Sequence, residues 1–286
     1  MRLAFLIPAP DFPEPWHWAF DGEAKALTER GFAIDPVPWT EASNLSGYDL
    51  IVPLLVWGYW DRYGDWLALL DRFERERLPV VNPPALLRWN SDKAYLAELA
   101  GRGVPTVPTI MVDHCDEEAL ADARRSFRTD RLVVKPPISA AAVGTHRLGP
   151  GDPLPDDNRG CRAIIQPMVD SVLTDGEYSL ILFDGVLSHA VVKRPKAGDF
   201  RVQPHLGGVT RRCTPPPGGE ALAHAALAQA PASATYARVD MVAGEDNELL
   251  IMELELVEPA LFLGEAPEGS AAFAEAIWSA AERAAK

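Results

Sequence analysis

The chain has 286 residues, of which 48% are hydrophobic, and a formal net charge of −14. This length suits a protein that buries a core in one large domain or in two to three small ones. The negative charge excludes nucleic acid and anionic membranes as general partners, because both are bound by clustered cations. No apolar run of eighteen residues, signal-like start or C-x-x-C spacing occurs, so we expect a cytoplasmic protein without membrane span, disulfide framework or structural zinc site.

The first third of the chain alternates between strand and helix patterns. MRLAFLIP predicts a strand, and DGEAKALTERG predicts a helix that Gly31 ends as a C-cap. FAIDPVPW and YDLIVPLLVW predict two more strands, the second apolar enough for a buried parallel strand. Residues 1–85 are therefore predicted to form a small α/β unit.

Two lysines stand at positions that favour a bound anion. SDKAYLAELAGRG predicts a helix with Ser91 as N-cap, which would put Lys93 in the first turn, where a cation is disfavoured unless an anion binds too. Lys135 ends the apolar strand LVVK and precedes ISAAAVGT, whose small residues would let backbone N–H groups approach an anion. Either lysine alone is more often a solvated surface charge.

The second half of the chain carries further strand and helix patterns. DEEALADARRSF predicts a helix, and EYSLILF and VLSHAVV predict a hairpin that turns at Asp184-Gly185. GDFRVQPHLGGVTRRCTPPPGG is expected to be mostly loop. EALAHAALAQA and SAAFAEAIWSAAERAAK predict two helices, the last with Ser270 as N-cap.

An acidic hairpin is predicted in ARVDMVAGEDNELLIMELEL. A two-residue turn at Asp246-Asn247 would place Asp240 opposite Glu253 and Arg238 opposite Glu255. Glu253 and Glu255 share a face of the second strand about 7 Å apart, and two such carboxylates repel by roughly 2 kcal/mol at an effective dielectric near 20. A hard divalent cation would relieve that repulsion, although a solvent-facing acidic strand explains the hairpin alone equally well.

Six ordered motifs between about Asn82 and Leu263 carry a resemblance. They are N-x-D-K-x-Y-L, strand-K-P with a small-residue loop, Q-P-M-V, D-G-E-Y-S, K-R-P-x-x-G-D-F-R-V-Q-P-H-x-G-G, and R-V-D-M with M-E-L-E. This order resembles the ATP-grasp ligases, in particular the glutathione synthetase and ribosomal-protein glutamate ligase branch. The K-R-P segment is also similar to that of cycloserine-forming cyclo-ligases.

The resemblance implies an α/β (α+β) ATP-grasp fold in three parts. Residues 1–85 would form a Rossmann-like N-terminal pre-ATP-grasp domain. Residues 86–165 would form the central ATP-grasp subdomain with a phosphate lid, and residues 166–286 the C-terminal subdomain with the magnesium site.

The resemblance also implies a role for each matching residue. The nucleotide-binding residues would be Lys93, Lys135, Ser139, Gly144, Thr145, Gln166, Pro167, Met168, Val169 and Glu177. Among them the two lysines would hold the phosphates under a lid formed by residues 139–145. Residues 166–169 would bind adenine through their backbone, and Glu177 would bind the ribose hydroxyls.

The reaction centre implied by the resemblance combines one arginine with three acids. Arg201 would be catalytic, because it would contact the transferred phosphate and steady an acyl-phosphate. Two Mg²⁺ ions would be held by Asp240, Glu253 and Glu255.

Two features depart from the family pattern. Residues 140–142 are alanines where the lid usually has glycines, and Glu255 stands where asparagine is common. The first puts the mobility of the lid in question, whereas the second preserves an oxygen ligand for Mg²⁺.

The implied function is an ATP-dependent carboxylate–amine ligase for a small amino-acid or peptide-like substrate. It would form an acyl-phosphate, release ADP and phosphate, and have a small-molecule carboxylate and a nucleophile as partners, in a homodimer. An intramolecular cyclo-ligase of the cycloserine type is the alternative, and a non-catalytic ATP-binding protein is a further one. A Ca²⁺ module is disfavoured, because the acids are not clustered in one loop.

The residues that would contact the substrate allow more than one interpretation. The loops PAPDFPEPWHW and VWGYWDRYGDW are rich in aromatic and acidic residues, which suits a pocket for a cationic or zwitterionic substrate, core packing or an oligomer interface. Glu258 follows the acidic strand closely enough to touch an amine, or it has a structural role. His205 is expected beside the active site.

Overall fold

The computed structural model describes residues 1–202, 206–246 and 248–286. It begins with a parallel sheet whose strands are β1 (Arg2–Ile7), β2 (Ala33–Pro38) and β3 (Leu50–Val52), in the order β2-β1-β3. Between β1 and β2 lies helix α1 (His17–Arg30), which begins four residues before the predicted segment and ends at Gly31 with φ +111°. The predicted strand–helix–strand order is confirmed.

Two helices that the sequence analysis did not predict follow β3. Helix α2 (Tyr63–Glu76) buries one apolar stripe, and α3 (Pro84–Asn90) starts with a proline, whose missing N–H is harmless in the first turn. The buried residues of the α2 stripe are Trp66, Leu69, Leu70 and Phe73. They pack with apolar residues of the first sheet, so α2 covers one of its faces.

Ser91 is not an N-cap, which corrects the prediction. It is the C-cap of α3, and its hydroxyl donates to the Leu87 carbonyl oxygen and accepts from the Trp66 indole N–H at 2.8 Å. The next helix, α4 (Tyr95–Gly101), begins after a turn. Lys93 therefore lies between two helices rather than in a first helical turn, and the helix-dipole argument for an anion there does not hold.

A four-stranded antiparallel sheet forms the middle of the chain. Its strands are β4 (Ile110–Val112), β5 (Leu132–Lys135), β6 (His146–Leu148) and β7 (Ala163–Pro167), in the order β4-β7-β5-β6. Helix α5 (Glu117–Phe127) covers it, and the Asp116 carboxylate caps this helix by accepting from the Ala119 N–H at 2.8 Å. The small-residue loop joins β5 to β6.

A five-stranded antiparallel sheet contains the acidic hairpin. Its strands are β8 (Glu177–Phe183), β9 (Val186–Arg194), β10 (Val209–Cys213), β11 (Tyr236–Ala243) and β12 (Leu249–Glu255), in the order β10-β9-β8-β11-β12. The predicted hairpin at Asp184-Gly185 is confirmed. Strand β10 falls where mostly loop was expected, and it pairs with β9 as an edge strand.

Three more helices complete the described fold. They are α6 (Ser171–Thr174), α7 (Gly219–Leu227) and α8 (Gly269–Ala284). Glu268, not the predicted Ser270, is the N-cap of α8. Phe273 and Ile277 of α8 share a core with Leu3 of β1, so the end of the chain packs against its beginning.

None of the helices in the described part of the chain is both long and apolar enough to cross a bilayer. All three cysteines are free thiols.

Candidate active site

The acidic hairpin has the predicted register at the residues that matter. Asp240 is paired with Glu253, and Arg238 with Glu255. Nearer the turn the ladder is shifted by one residue, because a β-bulge follows Asp240. The predicted two-residue turn is therefore one residue off, and Asn247 of that turn lies outside the described residues.

Arg238 already neutralises two of these carboxylates. Its Nε lies 3.0 Å from Asp240 Oδ1, its Nη2 lies 2.9 Å from Asp240 Oδ2, and the same Nη2 donates to Glu255. Burial would raise the pKa of Asp240, but Arg238 and Lys193 outweigh it and lower this pKa below its ordinary value. Burial raises the pKa of Glu255 to about 7 despite Arg238.

Lys193 lines the cleft, and the sequence analysis gave it no role. It is the second-last residue of the long strand β9, is 5% exposed, and its Nζ lies 2.5 Å from Glu177 Oε1 and 3.0 Å from Asp240 Oδ2. Burial raises the pKa of Glu177, against the effect of Lys193. One buried ammonium group thus joins the predicted ribose-binding acid to a predicted magnesium ligand.

Lys93 and Lys135 lie close to the remaining acid of the hairpin. The Lys93 Nζ is 3.0 Å from Glu253 Oε1 and also donates to the carbonyl oxygen of Ser139, where the lid loop begins. Burial opposes ionisation of Glu253, but Lys93 and Lys135 lower its pKa. Burial lowers the pKa of Lys135 itself, so an anion that approached would find a desolvated cation.

One cleft brings almost all the predicted site residues together. Its lining includes Lys93, Lys135, Ser139, Thr145, Gln166, Pro167, Met168, Val169, Glu177, Arg201, Asp240, Glu253 and Glu255. Gly144 does not line it: its φ is +66°, and a Cβ there would lie 2.8 Å from Cγ of Pro136, so this glycine shapes the turn. The individual roles of the lining residues stay predictions.

The comparisons with known proteins identify the family of the chain. A model of the "D-cycloserine synthetase DcsG, N-terminal domain" matches residues 10–82. The cycloserine biosynthesis protein DcsG of Streptomyces lavendulae is 31% identical over 273 residues, which span 88% of this chain and 90% of the relative. The chain belongs to the DcsG family of ATP-grasp ligases.

Solved structures and a second sequence relative are also similar to this chain. The crystal structure of D-cycloserine synthetase DcsG superposes with a TM-score of 0.82 at 27% identity, over 99% of this chain and 100% of that one. D-alanine–D-alanine ligase of Bacillus anthracis gives 0.70 at 16% identity, over 99% and 98%. Glutathione synthetase of Prochlorococcus marinus (strain MIT 9313) is 32% identical over 49% of this chain and 45% of its own.

The predicted fold and activity class are confirmed by these relatives. The family member has the ATP-grasp fold, and it is an ATP-dependent ligase that joins a carboxylate to a nitrogen. The reading as a non-catalytic ATP-binding protein is accordingly set aside. Intramolecular and intermolecular ligases differ in whether the nitrogen belongs to the same molecule as the carboxylate.

The carboxylates suit magnesium by their chemistry. Asp240, Glu253 and Glu255 offer only oxygen atoms, which hard divalent cations prefer. In the described residues, no three acidic, histidine or cysteine side chains are yet arranged to hold an ion together. Arg238 and Lys93 form ion pairs with these carboxylates. A bound metal would have to replace these ion pairs in part.

Arg201 lines the cleft and is held in place by its neighbour. Its Nε lies 3.1 Å from Asp199 Oδ1, and its Nη2 lies 2.9 Å from Asp199 Oδ2. Arg201 keeps the pKa of Asp199 below its ordinary value. This bidentate contact leaves the remaining guanidinium N–H groups for an anion. His205, predicted nearby, lies outside the described residues.

The lid loop has an unusual backbone for its sequence. Ala141 has φ +52° and Ala142 has φ +61°, a region that costs a residue with a Cβ about 1–2 kcal/mol. The alanines thus adopt a backbone conformation that glycine would adopt without strain.

The aromatic loops contribute one residue to the cleft. Tyr59 lines it, whereas Phe12, Trp57 and Trp60 pack against one another, with ring centroids of Phe12 and Trp57 6.2 Å apart. An ion pair of Arg62 with Asp11 also joins the two loops. Packing, one of the three interpretations, therefore accounts for Phe12, Trp57 and Trp60.

Proposed function

We propose that the chain is an ATP-dependent cyclo-ligase. It activates the carboxylate of a small amino acid and closes a ring with a nitrogen of the same molecule. The observation that supports this is the similarity to cycloserine biosynthesis protein DcsG, at 31% identity over 90% of that protein. In cycloserine the carboxyl carbon is bonded to a ring nitrogen that is itself bonded to oxygen. The substrate class is therefore an amino acid whose side chain carries such a nitrogen.

The extent of the match favours the same substrate class rather than a shared nucleotide site alone. The family model of the DcsG N-terminal domain covers residues 10–82, which include Tyr59 of the cleft. ATP-binding residues are predicted only from Lys93 onward. The matching segment thus contains a cleft residue that is not assigned to ATP and is available for the amino acid.

The first step is transfer of the γ-phosphoryl group of ATP to the substrate carboxylate. Lys93 and Lys135 bind the phosphates, residues 166–169 bind the adenine, and Glu177, oriented by Lys193, accepts from the ribose hydroxyls. Positioning and charge neutralisation carry most of such a reaction, because the developing charge lies on phosphate oxygens. No side-chain nucleophile is needed.

The second step is ring closure. The substrate nitrogen attacks the carbonyl carbon of the acyl-phosphate, the C–O bond to phosphate breaks, and the nitrogen loses a proton. Arg201 and Arg238 line the cleft and stabilise the negative charge on the departing phosphate and on the carbonyl oxygen. When bound by Asp240, Glu253 and Glu255, two Mg²⁺ ions would neutralise charge on the phosphate oxygens.

A ligase that joins two molecules is the second candidate. The similarity to D-alanine–D-alanine ligase of Bacillus anthracis, with a TM-score of 0.70, favours it, although at 16% identity this similarity concerns the fold. The glutathione synthetase match covers only 49% of this chain. Both candidates share the acyl-phosphate and differ only in the origin of the nitrogen.

Phosphate release with Mg²⁺-ATP separates the two candidates. Amino acids, including β-aminooxyalanine of both configurations and its N-substituted forms, are offered singly and in pairs. Cyclisation predicts turnover on one compound alone and a cyclic amide as product, detected by mass spectrometry. Turnover only on pairs, with a linear condensation product, would overturn the proposal. The Glu253→Gln variant is purified in parallel. The phosphate that it releases is subtracted as the contribution of contaminating ATPases.

The predicted homodimer and cytoplasmic location are parts of the same proposal. Multi-angle light scattering of the purified chain at micromolar concentration tests the dimer. A mass near 62 kDa, twice the 31.2 kDa of one chain, would support it.

A further inference from the structure

Glu258 differs from the other acids of the cleft. Glu177 and Asp240 contact Lys193, Glu253 contacts Lys93, and Glu255 contacts Arg238. Glu258 also lines the cleft, yet it forms no ion pair or hydrogen bond with the residues that the structure describes. It is thus a half-buried carboxylate in the cleft to which no cation is assigned.

Tyr59 brings a second polar group without a partner to the same place. Its side chain is 4% exposed, it lines the cleft, and its hydroxyl makes no hydrogen bond within residues 1–202, 206–246 and 248–286. The ring is fixed by Trp60 and Trp66, with centroids 5.6 and 5.7 Å away. The ring is thus held in the core while the residue lines the cleft, so its hydroxyl is available to bond a ligand there.

Tyr59 and Glu258 come from two parts of the chain and line the same cleft. Burial and then the negative charge of Glu258 raise the pKa of Tyr59, with smaller effects of Glu253 and Glu255. Burial and the charge of Glu255 likewise raise the pKa of Glu258. A cation bound beside Glu258 would offset the negative charge that Glu253, Glu255 and Glu258 bring to this part of the cleft.

We propose that Glu258 and Tyr59 bind the ammonium group of the amino-acid substrate and so select amino acids over other carboxylic acids. The carboxylate accepts from the ammonium N–H groups, and the phenol oxygen accepts another while its O–H donates to Glu258. The assignment rests on the proposed function for the identity of the substrate as an amino acid. It does not depend on whether that amino acid is cyclised.

Three of the cations that line the cleft are already held by other acids, which favours a ligand cation over a rearranged side chain. Lys93, Lys193 and Arg238 are each held by acids of the hairpin or its neighbours. A shift of any of them to Glu258 would leave another buried acid unpaired. An incoming ammonium group neutralises Glu258 without that loss.

Ligand pairs that differ only by an amino group test the assignment. Cycloserine is compared with isoxazolidin-3-one, and alanine with propionate, each titrated into the protein with Mg²⁺-ADP by calorimetry. The wild type is expected to bind the amino member of a pair at least tenfold more tightly. Glu258→Gln should reduce this preference to about twofold or less, and Tyr59→Phe should reduce it three- to tenfold, while the affinity for the desamino member changes little.

Two matched variants control for general damage. Glu265→Gln removes an exposed acid from the segment that follows β12, and Tyr63→Phe removes a phenol hydroxyl that does not line the cleft. Both should keep the wild-type preference. Mg²⁺-ATP should still raise the melting temperature of Glu258→Gln, which shows that the variant is folded.

The outcomes separate this inference from the proposed cyclisation. A wild type without preference in either pair, or a Glu258→Gln variant that keeps the preference, overturns the assignment. A role of Glu258 as general base instead predicts a lower kcat with unchanged preference, which also counts against it. If no single compound is cyclised but the alanine preference depends on Glu258, the amino-group site stands and the cyclo-ligase proposal fails.

Discussion

Lys193 and Asp240 form a buried ion pair in which Nζ lies 3.0 Å from Oδ2, with the two side chains 7% and 3% exposed. The same ammonium group lies 2.5 Å from Glu177. Replacement by methionine would leave these two acids buried without their shared cation. We expect Lys193→Met to lower the free energy of unfolding by about 3–5 kcal/mol, measured by urea denaturation, and to weaken ATP binding.

The exposed pair of Lys25 with Glu29, 3.9 Å apart, provides the control. Lys25→Met should change the free energy of unfolding by less than about 1 kcal/mol, because exposed ion pairs contribute little. If the two methionine variants are equally stable, Lys193 is not the structural link that its contacts suggest.

Glu253→Gln keeps the shape of a proposed magnesium ligand but removes its charge. We expect kcat to fall by about 10²-fold or more, because a group that neutralises charge in the transition state is lost. The dependence of turnover on Mg²⁺ concentration should shift to higher values at saturating ATP. Glu245→Gln, in the exposed loop of the same hairpin, should leave both unchanged. Full turnover of Glu253→Gln would remove the metal assignment.

Arg201 is predicted to act on the transferred phosphate. Arg201→Met should lower kcat by about 10²–10³-fold with little change in the affinity for ADP, because its contact forms mainly as the phosphoryl group moves. Asp199→Asn should lower kcat by about tenfold or less, since it removes only the group that orients Arg201. If Asp199→Asn is the more damaging of the two, Asp199 itself has a chemical role.

The acidic hairpin was predictable because strand alternation is a local signal. Pairing of Asp240 with Glu253 depends on the period of two and on a short connection. The bulge after Asp240 was not predictable, since nothing in the neighbouring residues demands it. The predicted turn was one residue too short, and the bulge compensates for that residue. The predicted pairing at Asp240 and Glu253 is therefore confirmed, although the predicted turn is wrong.

Ser91 shows where a local rule misleads. A serine before a helical pattern is a normal N-cap. Here its hydroxyl is bonded to the indole of Trp66 from α2, a contact that only the tertiary structure creates. Helix α2 itself could have been predicted from the sequence, because its buried residues follow helical spacing: Trp66, Leu69, Leu70 and Phe73.

Lys193 was missed although it carries the signal that identified Lys135. Both lysines follow an apolar run near the end of a strand, LVVK in one case and AVVK in the other. Arg238 was predicted only to lie opposite Glu255, whereas it contacts both Asp240 and Glu255. Ion pairs between strands far apart in sequence require the sheet order, which the sequence alone does not supply.

The lid offers a test of backbone strain. Ala142→Gly should raise the free energy of unfolding by about 0.5–1 kcal/mol, because relief at φ +61° exceeds the entropy that glycine adds to the unfolded chain. Ala140→Gly, at a neighbour with negative φ, should lower it by about 0.5 kcal/mol. A destabilised Ala142→Gly would mean that the left-handed turn is not populated in solution.

Glu23 predicts how stability depends on pH. It is 6% exposed on α1, its Oε2 has no partner among the described residues, and burial raises its pKa well above 4.5. The folded protein therefore holds this proton more tightly than the unfolded chain does. The stabilising contribution is complete below pH about 4.5 and is lost as the pH rises through the folded pKa.

Glu23→Gln removes the titration, so the fall in the free energy of unfolding between pH 5 and 8 should become shallower than in the wild type. Urea unfolding across that range measures the slope, with Glu29→Gln on the exposed side of the same helix as the control. An unchanged slope in Glu23→Gln would mean that Glu23 is solvated or paired in solution, and that the core beside α1 is looser than its packing indicates.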